Sequence, residues 1–168
     1  MIYEVIVGCL ICCIARNRVI ILNNREKYEY WLEAAEYDLE SAKVMMNGGR
    51  YMYVAFMSQQ AIEKLTKGIY TLYTGKEVPM IHNIWNIFKS LKREVNLAEE
   101  SLNVEEFEKN LEKYKSFFAE LLAYYISGRY PSFKEIISRT IDSKRAERVL
   151  HATQEVFSWI ESLSQYKA

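Results

Sequence analysis

The chain has 168 residues, with 22 Lys plus Arg against 22 Asp plus Glu, so no overall positive field marks it for nucleic acid or an anionic membrane. Half of the residues are apolar and 26% are charged, with only six Gly and two Pro, which excludes a disordered, collagen-like or proline-rich chain. One globular domain fits the length, and thirteen Tyr, seven Phe and three Trp require large rings to fill a core or an interface.

Residues 1–23 stand apart from the rest. Val5 to Ala15 is apolar, Arg16-Asn17-Arg18 interrupts it, and an apolar run resumes at Val19 to Leu22; a bilayer span needs about 20 unbroken apolar residues. A secretory signal carries its positive charge ahead of the apolar stretch, whereas here Glu4 precedes it and the arginines follow. The β-branched content suggests a strand pair or a loose apolar appendage, and a misplaced start codon is a third reading. Cys9, Cys12 and Cys13 all sit here without the second pair or the histidines that a structural zinc requires. They read as reduced thiols, with no metal or cofactor expected and the cytoplasm as the default compartment.

From residue 24 to 168 the pattern is helical. Tyr28, Trp31, Leu32, Ala35, Leu39, Ala42 and Met46 recur at three- and four-residue steps, and Asn47-Gly48-Gly49 stops the stripe. Val54, Met57, Ala61, Leu65, Gly68 and Leu72 form a second stripe, closed by Gly75 and Pro79. Ile81, Ile84, Phe88 and Leu91 fit a shorter third helix. Leu111, Tyr114, Phe118, Leu121 and Tyr125 make a fourth, ended by Gly128 and Pro131, and Ala146, Val149, Thr153, Val156, Ile160 and Leu163 make the last. Such stripes predict an all-α fold, an antiparallel up-and-down bundle of four to five helices with an irregular or short β N-terminal appendage over residues 1–23.

Three segments carry polar groups that this core does not need. On the second helix Gln60, Glu63, Lys64 and Lys67 share a face. They form either a solvated flank supported by a few tenths of a kcal/mol of ion pairing or a polar groove whose donors hold a phosphate. His82 stands at the start of the third helix, as a cap, a proton carrier or a space filler. Arg129, between Gly128 and Tyr130-Pro131, is expected on a short constrained turn, binding phosphate bidentately or satisfying the last carbonyls of the fourth helix.

Trp31 with Ala34-Ala35 and Asp38-Leu39, then Gly49-Arg50-Tyr51 leading to Ala55-Phe56, then Gln59-Gln60-Ala61-Ile62-Glu63-Lys64, then His82-Asn83-Ile84 and Arg129-Tyr130-Pro131 together resemble the HEPN domain family over roughly residues 27–165. The resemblance implies a small helical bundle, commonly a homodimer, often encoded beside a minimal nucleotidyltransferase and proposed to bind nucleotides or RNA. Several branches are metal-independent ribonucleases and toxins of toxin–antitoxin pairs. These use an arginine and a histidine separated by four to six residues, the histidine moving the proton of the ribose 2′-hydroxyl and the arginine stabilising charge at phosphorus.

No histidine follows Arg129 at that distance. Arg145 and His151 have the spacing, but six residues along a helix place them about 120° apart. Losing a general acid or base costs about 10²–10⁴ in rate, so the sequence leans away from an enzyme. The expected function is an accessory module that binds nucleotide or RNA through Gln60, Lys64, Lys67, His82 and Arg129, as a homodimer with a nucleotidyltransferase partner and no membrane. Two alternatives stand beside it. One is a ribonuclease built from Arg129 with His82, or from Arg145 with His151; the other is an interaction scaffold without ligand, for which exposed Tyr51, Tyr53 or Tyr130 would supply the interface.

Overall fold

Asn23 starts the bundle: its side chain accepts from the Glu26 amide at 2.9 Å while the Glu26 carboxylate takes the Asn23 amide at 2.8 Å, a reciprocal cap that satisfies two otherwise unpaired donors. In the computed structural model residues 22–78, 80–100, 102–129 and 141–167 are described. The expected strand pair, the three cysteines and Tyr130 with Pro131 lie outside them. Helix α1 spans Asn24–Asn47 and α2 spans Tyr51–Thr74. Between them Gly49 takes φ 67°, a backbone conformation that a side chain resists, and the chain reverses within three residues.

α1 and α2 run antiparallel, because Gly68 meets Trp31 and Tyr28 while Lys64 meets Asp38. A methyl group on Gly68 would stand 2.8 Å from the Trp31 Cβ; its absence lets the two backbones approach. α2 is the central helix, buried at Val54, Ala61, Leu65, Gly68 and Leu72 of the expected stripe, whose Met57 is only half-buried, and also at Ala55, Ser58, Gln59, Ile62, Glu63 and Ile69. Gly75 closes it in the left-handed conformation with its amide on the Thr71 carbonyl at 2.9 Å.

Helix α3 spans Ile84–Glu94 and is capped by Asn83, whose side chain accepts from the Asn86 amide. His82 therefore precedes the cap and does not serve as one: the asparagine's shorter side-chain oxygen reaches the first-turn amide. A 3₁₀ turn at Leu97–Glu100 follows, with Leu97 and Leu102 buried.

Helix α4 spans Val104–Arg129, so it passes through Gly128. The sequence places the stop there, but glycine costs a helix only about 1 kcal/mol, and the preceding turns are anchored by buried Leu121, Tyr124 and Tyr125. Arg129 consequently belongs to the last helical turn and not to a separate constrained loop.

Helix α5 spans Ser143–Ser162, capped by Asp142 on the Arg145 amide at 2.8 Å, and a final 3₁₀ turn covers Leu163–Tyr166. Lys113 and Tyr114 reach Glu155, while Glu120 and Tyr124 reach Arg148 and Arg145; as numbers rise on α4 they fall on α5, so these helices are antiparallel. The described residues thus form an all-α bundle of five helices. Phe88, Phe107, Phe118, Tyr114 and Trp159 pack ring on ring with centroids 5.3–6.5 Å apart, a geometry that adds to plain area burial. None of the described helices is long and apolar enough to cross a membrane.

Candidate functional site

Gln59, Glu63 and Lys67 follow one another at four-residue steps along α2 and so line one side of it. Glu63 is only 5% exposed, and a carboxylate in that position must find donors or give up its charge. It finds three. Gln59 Nε2 donates to Oε2 at 2.6 Å, Lys67 Nζ donates to Oε1 at 2.8 Å, and His82 Nδ1 lies 3.0 Å from the same Oε1. Burial pushes the Glu63 carboxyl upward, but the hydrogen bond and charge of Lys67, with the bonds from Gln59 and His82, outweigh it and hold the group below the usual carboxylate range.

An ionised carboxylate only accepts, so the hydrogen in the Glu63–His82 contact belongs to Nδ1. The neutral imidazole then carries its lone pair on Nε2, and the side chain is 44% exposed. Gln59 fixes the same residue through the backbone, its Nε2 lying 3.4 Å from the His82 carbonyl, while Gln60 Nε2 donates to Gln59 Oε1 at 2.5 Å. The polar side chains of α2 therefore hold one histidine from two directions.

The other wall comes from α4. Tyr125, 7% exposed, stacks on the His82 imidazole with ring centroids 4.5 Å apart and planes 26° from parallel. One helical turn later the Arg129 guanidinium carbon lies 4.4 Å from the Tyr125 centroid, a cation–π distance. Phe56 of α2 lies parallel to Tyr125 at 6.5 Å. His82 and Arg129 thus share one aromatic support. Lys67 and Glu63 cancel in charge, whereas Arg129 is exposed and has no carboxylate partner among the described residues. What faces solvent is a guanidinium with planar donors and an imidazole nitrogen that can accept or carry a proton, a set suited to a phosphate oxygen.

The residues singled out from sequence divide. Lys67 and His82 meet on the Glu63 carboxylate and Arg129 reaches the Tyr125 ring on which His82 stacks, with Gln60 one step behind through Gln59. Lys64 turns toward α1, its Nζ 2.6 Å from the buried Asp38 Oδ2 at angles that make it an ion pair and not a hydrogen bond. Arg145 is engaged by the α4 side chains, with Nε on the Tyr124 hydroxyl at 3.1 Å and a terminal nitrogen 3.3 Å from Glu120, while His151 is exposed on α5. Sequence reasoning gave Tyr125 only a core role and Glu63 only a flank role. The available signal was the Gln59, Glu63, Lys67 spacing, which sets an amide and an ammonium one turn either side of a carboxylate. Among the described residues no group of three or more His, Cys, Asp or Glu is placed to hold a metal ion.

No match to a curated protein or to a solved structure was found. The HEPN domain model matches residues 28–163, a span that takes in Gln59, Glu63, Lys67, His82, Tyr125 and Arg129, and with most of its length so matched the chain belongs to the HEPN domain family.

Proposed function

We infer that this protein is a binding module for the phosphate of a nucleotide or RNA, taken up between Arg129 and His82. The observation that carries the reading is that these two residues, one from the loop before α3 and one from the last turn of α4, pack on the same Tyr125 ring, with the imidazole held by a buried carboxylate. Membership of the HEPN family supports it, as does the absence of a carboxylate partner for Arg129 among the described residues. A homodimer working beside a nucleotidyltransferase partner is the assembly that the family suggests. Isothermal titration with ATP and with a short oligoribonucleotide tests the site: binding is expected for the unaltered protein and loss of it in Arg129→Ala, while equal affinity in both proteins removes Arg129 from the site.

One observation favours a second reading, metal-independent RNA cleavage. Glu63 holds the imidazole through Nδ1 and leaves Nε2 directed away from the carboxylate, the orientation a general base needs. Nε2 would take the ribose 2′-hydroxyl proton, the 2′-oxygen would bond to phosphorus, and the 5′-oxygen would leave with a proton from water, giving a 2′,3′-cyclic phosphate while Arg129 neutralises the phosphoryl oxygens. Cleavage that survives a chelator and disappears in His82→Ala supports this reading; intact RNA after prolonged incubation with the unaltered protein eliminates it.

A further inference from the structure

The exposed side of α3 carries Asn86, Lys89, Lys92 and Arg93, on neighbouring turns of a short helix. With Ile81 and Ser90 they line a cleft of about 650 Å³ that has three cations and no carboxylate in its wall. Lys92 is paired with Glu108 of α4. Lys89 is not paired with a carboxylate among the described residues; its ammonium lies 5.9 Å from the Trp85 ring centroid. Arg93 gives one guanidinium nitrogen to Ser90 Oγ at 3.0 Å, and the neighbouring Glu94 is held by Lys76. The cleft therefore keeps the charge of Lys89 without a carboxylate partner among the described residues, beside an Arg93 whose charge also acts on Glu94, in a chain whose net charge is zero.

Its position matters as much as its sign. Ile81, part of the cleft wall, is bonded directly to His82, and consecutive α-carbons are about 3.8 Å apart. A phosphate between His82 and Arg129 occupies one end of this surface and leaves Lys89 and Arg93 unused. Lys89 and Arg93 stand about 8 and 14 Å along α3 from its first residue, Ile84, in the direction that successive phosphates of a strand would follow.

We propose that the α3 cleft is a second anion subsite, taking the neighbouring backbone phosphates of a single-stranded polynucleotide, so that the ligand is a strand and not a free nucleotide. The proposal rests on the reading of His82 and Arg129 as a phosphate site. A concave basic wall follows a flexible strand, whereas a duplex, stiff over about 150 base pairs, bridges the rim.

Fluorescence anisotropy with a labelled oligouridylate of about 12 nucleotides, paired with calorimetric titration of uridine monophosphate, tests it. The strand is expected to bind more tightly than the mononucleotide. The double variant Lys89→Ala/Arg93→Ala should weaken the strand several-fold, lower the slope of log affinity against log salt by about 0.7 for each cation removed, and leave the mononucleotide affinity unchanged, while Arg129→Ala weakens both. Unchanged strand affinity and slope in the double variant, or a duplex that competes as well as the single strand, overturns the cleft and leaves the His82–Arg129 site standing. Failure of both ligands to bind the unaltered protein removes that site and this inference with it.

Discussion

The Nδ1 atom of His82 and the Oε1 atom of Glu63 are 3.0 Å apart, a contact between a half-exposed ring and a carboxylate in the core. Replacing Glu63 with Gln removes the counter-charge of Lys67, whose side chain is only 12% exposed. Leaving such a charge unpaired is expected to cost about 3 kcal/mol and to lower Tm by roughly 6–12 °C, read by thermal unfolding at neutral pH. The acid limb provides a second check. Because the Glu63 carboxyl is depressed in the folded protein, the stability it gives is fully present above the unfolded carboxylate pKa of about 4.3 and is lost as pH falls through the lower folded value. The Glu63→Gln variant should lack that part of the acid loss.

Arg129 separates charge from geometry. Arg129→Ala is expected to weaken phosphate binding by about 10- to 100-fold, the worth of a charge-assisted hydrogen bond. Arg129→Lys should recover only part of it, because an ammonium cannot make the planar two-point contact. Both variants should show unaltered far-UV circular dichroism, since the residue is exposed.

The pair on α5 behaves differently. Arg145→Ala cuts an exposed link to Glu120 and Tyr124 and is expected to cost about 1 kcal/mol or less, with nucleotide affinity unchanged; His151→Ala should change neither stability nor affinity. A drop in affinity for His151→Ala, with His82→Ala silent, would move the site to the exposed face of α5.

Gly68→Ala tests the close approach of α1 and α2. Alanine gains about 0.5–1 kcal/mol in helix propensity, but its Cβ would meet Trp31 Cβ at 2.8 Å and Tyr28 at 3.2 Å, neither of them the far end of a flexible chain. Overpacking of that kind costs about 1–3 kcal/mol and wins. Urea unfolding should show a lower midpoint; a midpoint above that of the parent would mean that α1 moves away freely.

At high pH the Tyr73 hydroxyl is the group to follow. It donates to the Leu163 carbonyl at 2.8 Å, and burial, followed by the charges of Glu100 and Tyr166, pushes its pKa up to about 12. A raised tyrosine pKa means that stability is whole below the unfolded value near 10 and declines as pH climbs toward 12. Tyr73→Phe should lose about 1 kcal/mol at neutral pH and show a shallower decline between pH 10 and 12.

The fold was legible because burial imposes a three-and-four rhythm: Ala35, Ala42, Val54, Ala61, Leu65, Phe118, Leu121, Val149, Val156 and Ile160 were all placed on inward stripes, and all are buried. Boundaries were less so. Gly128 reads as a stop in isolation, yet packing of Tyr124 and Tyr125 carries α4 past it, and His82 reads as a cap although Asn83 one residue later does that work. The candidate site was legible in its parts, since Lys67, His82 and Arg129 were named from residue type and spacing. Its joining element was not, because an aromatic ring on a core stripe carries no mark in the sequence that it will also support an imidazole and a guanidinium. Lys64 shows the opposite failure: it shares a helical face with Lys67 on paper, but a buried Asp38 on α1 draws it the other way.

The placement of Tyr125 one turn before Arg129 ties two fates together. Any event that peels the C-terminal turns of α4 off the bundle takes away the guanidinium and, in the same movement, the surface against which His82 rests. Ligand affinity and local protection from hydrogen exchange near residue 125 should therefore rise and fall as one quantity, giving a binding site that is either whole or absent, with no half-built form between.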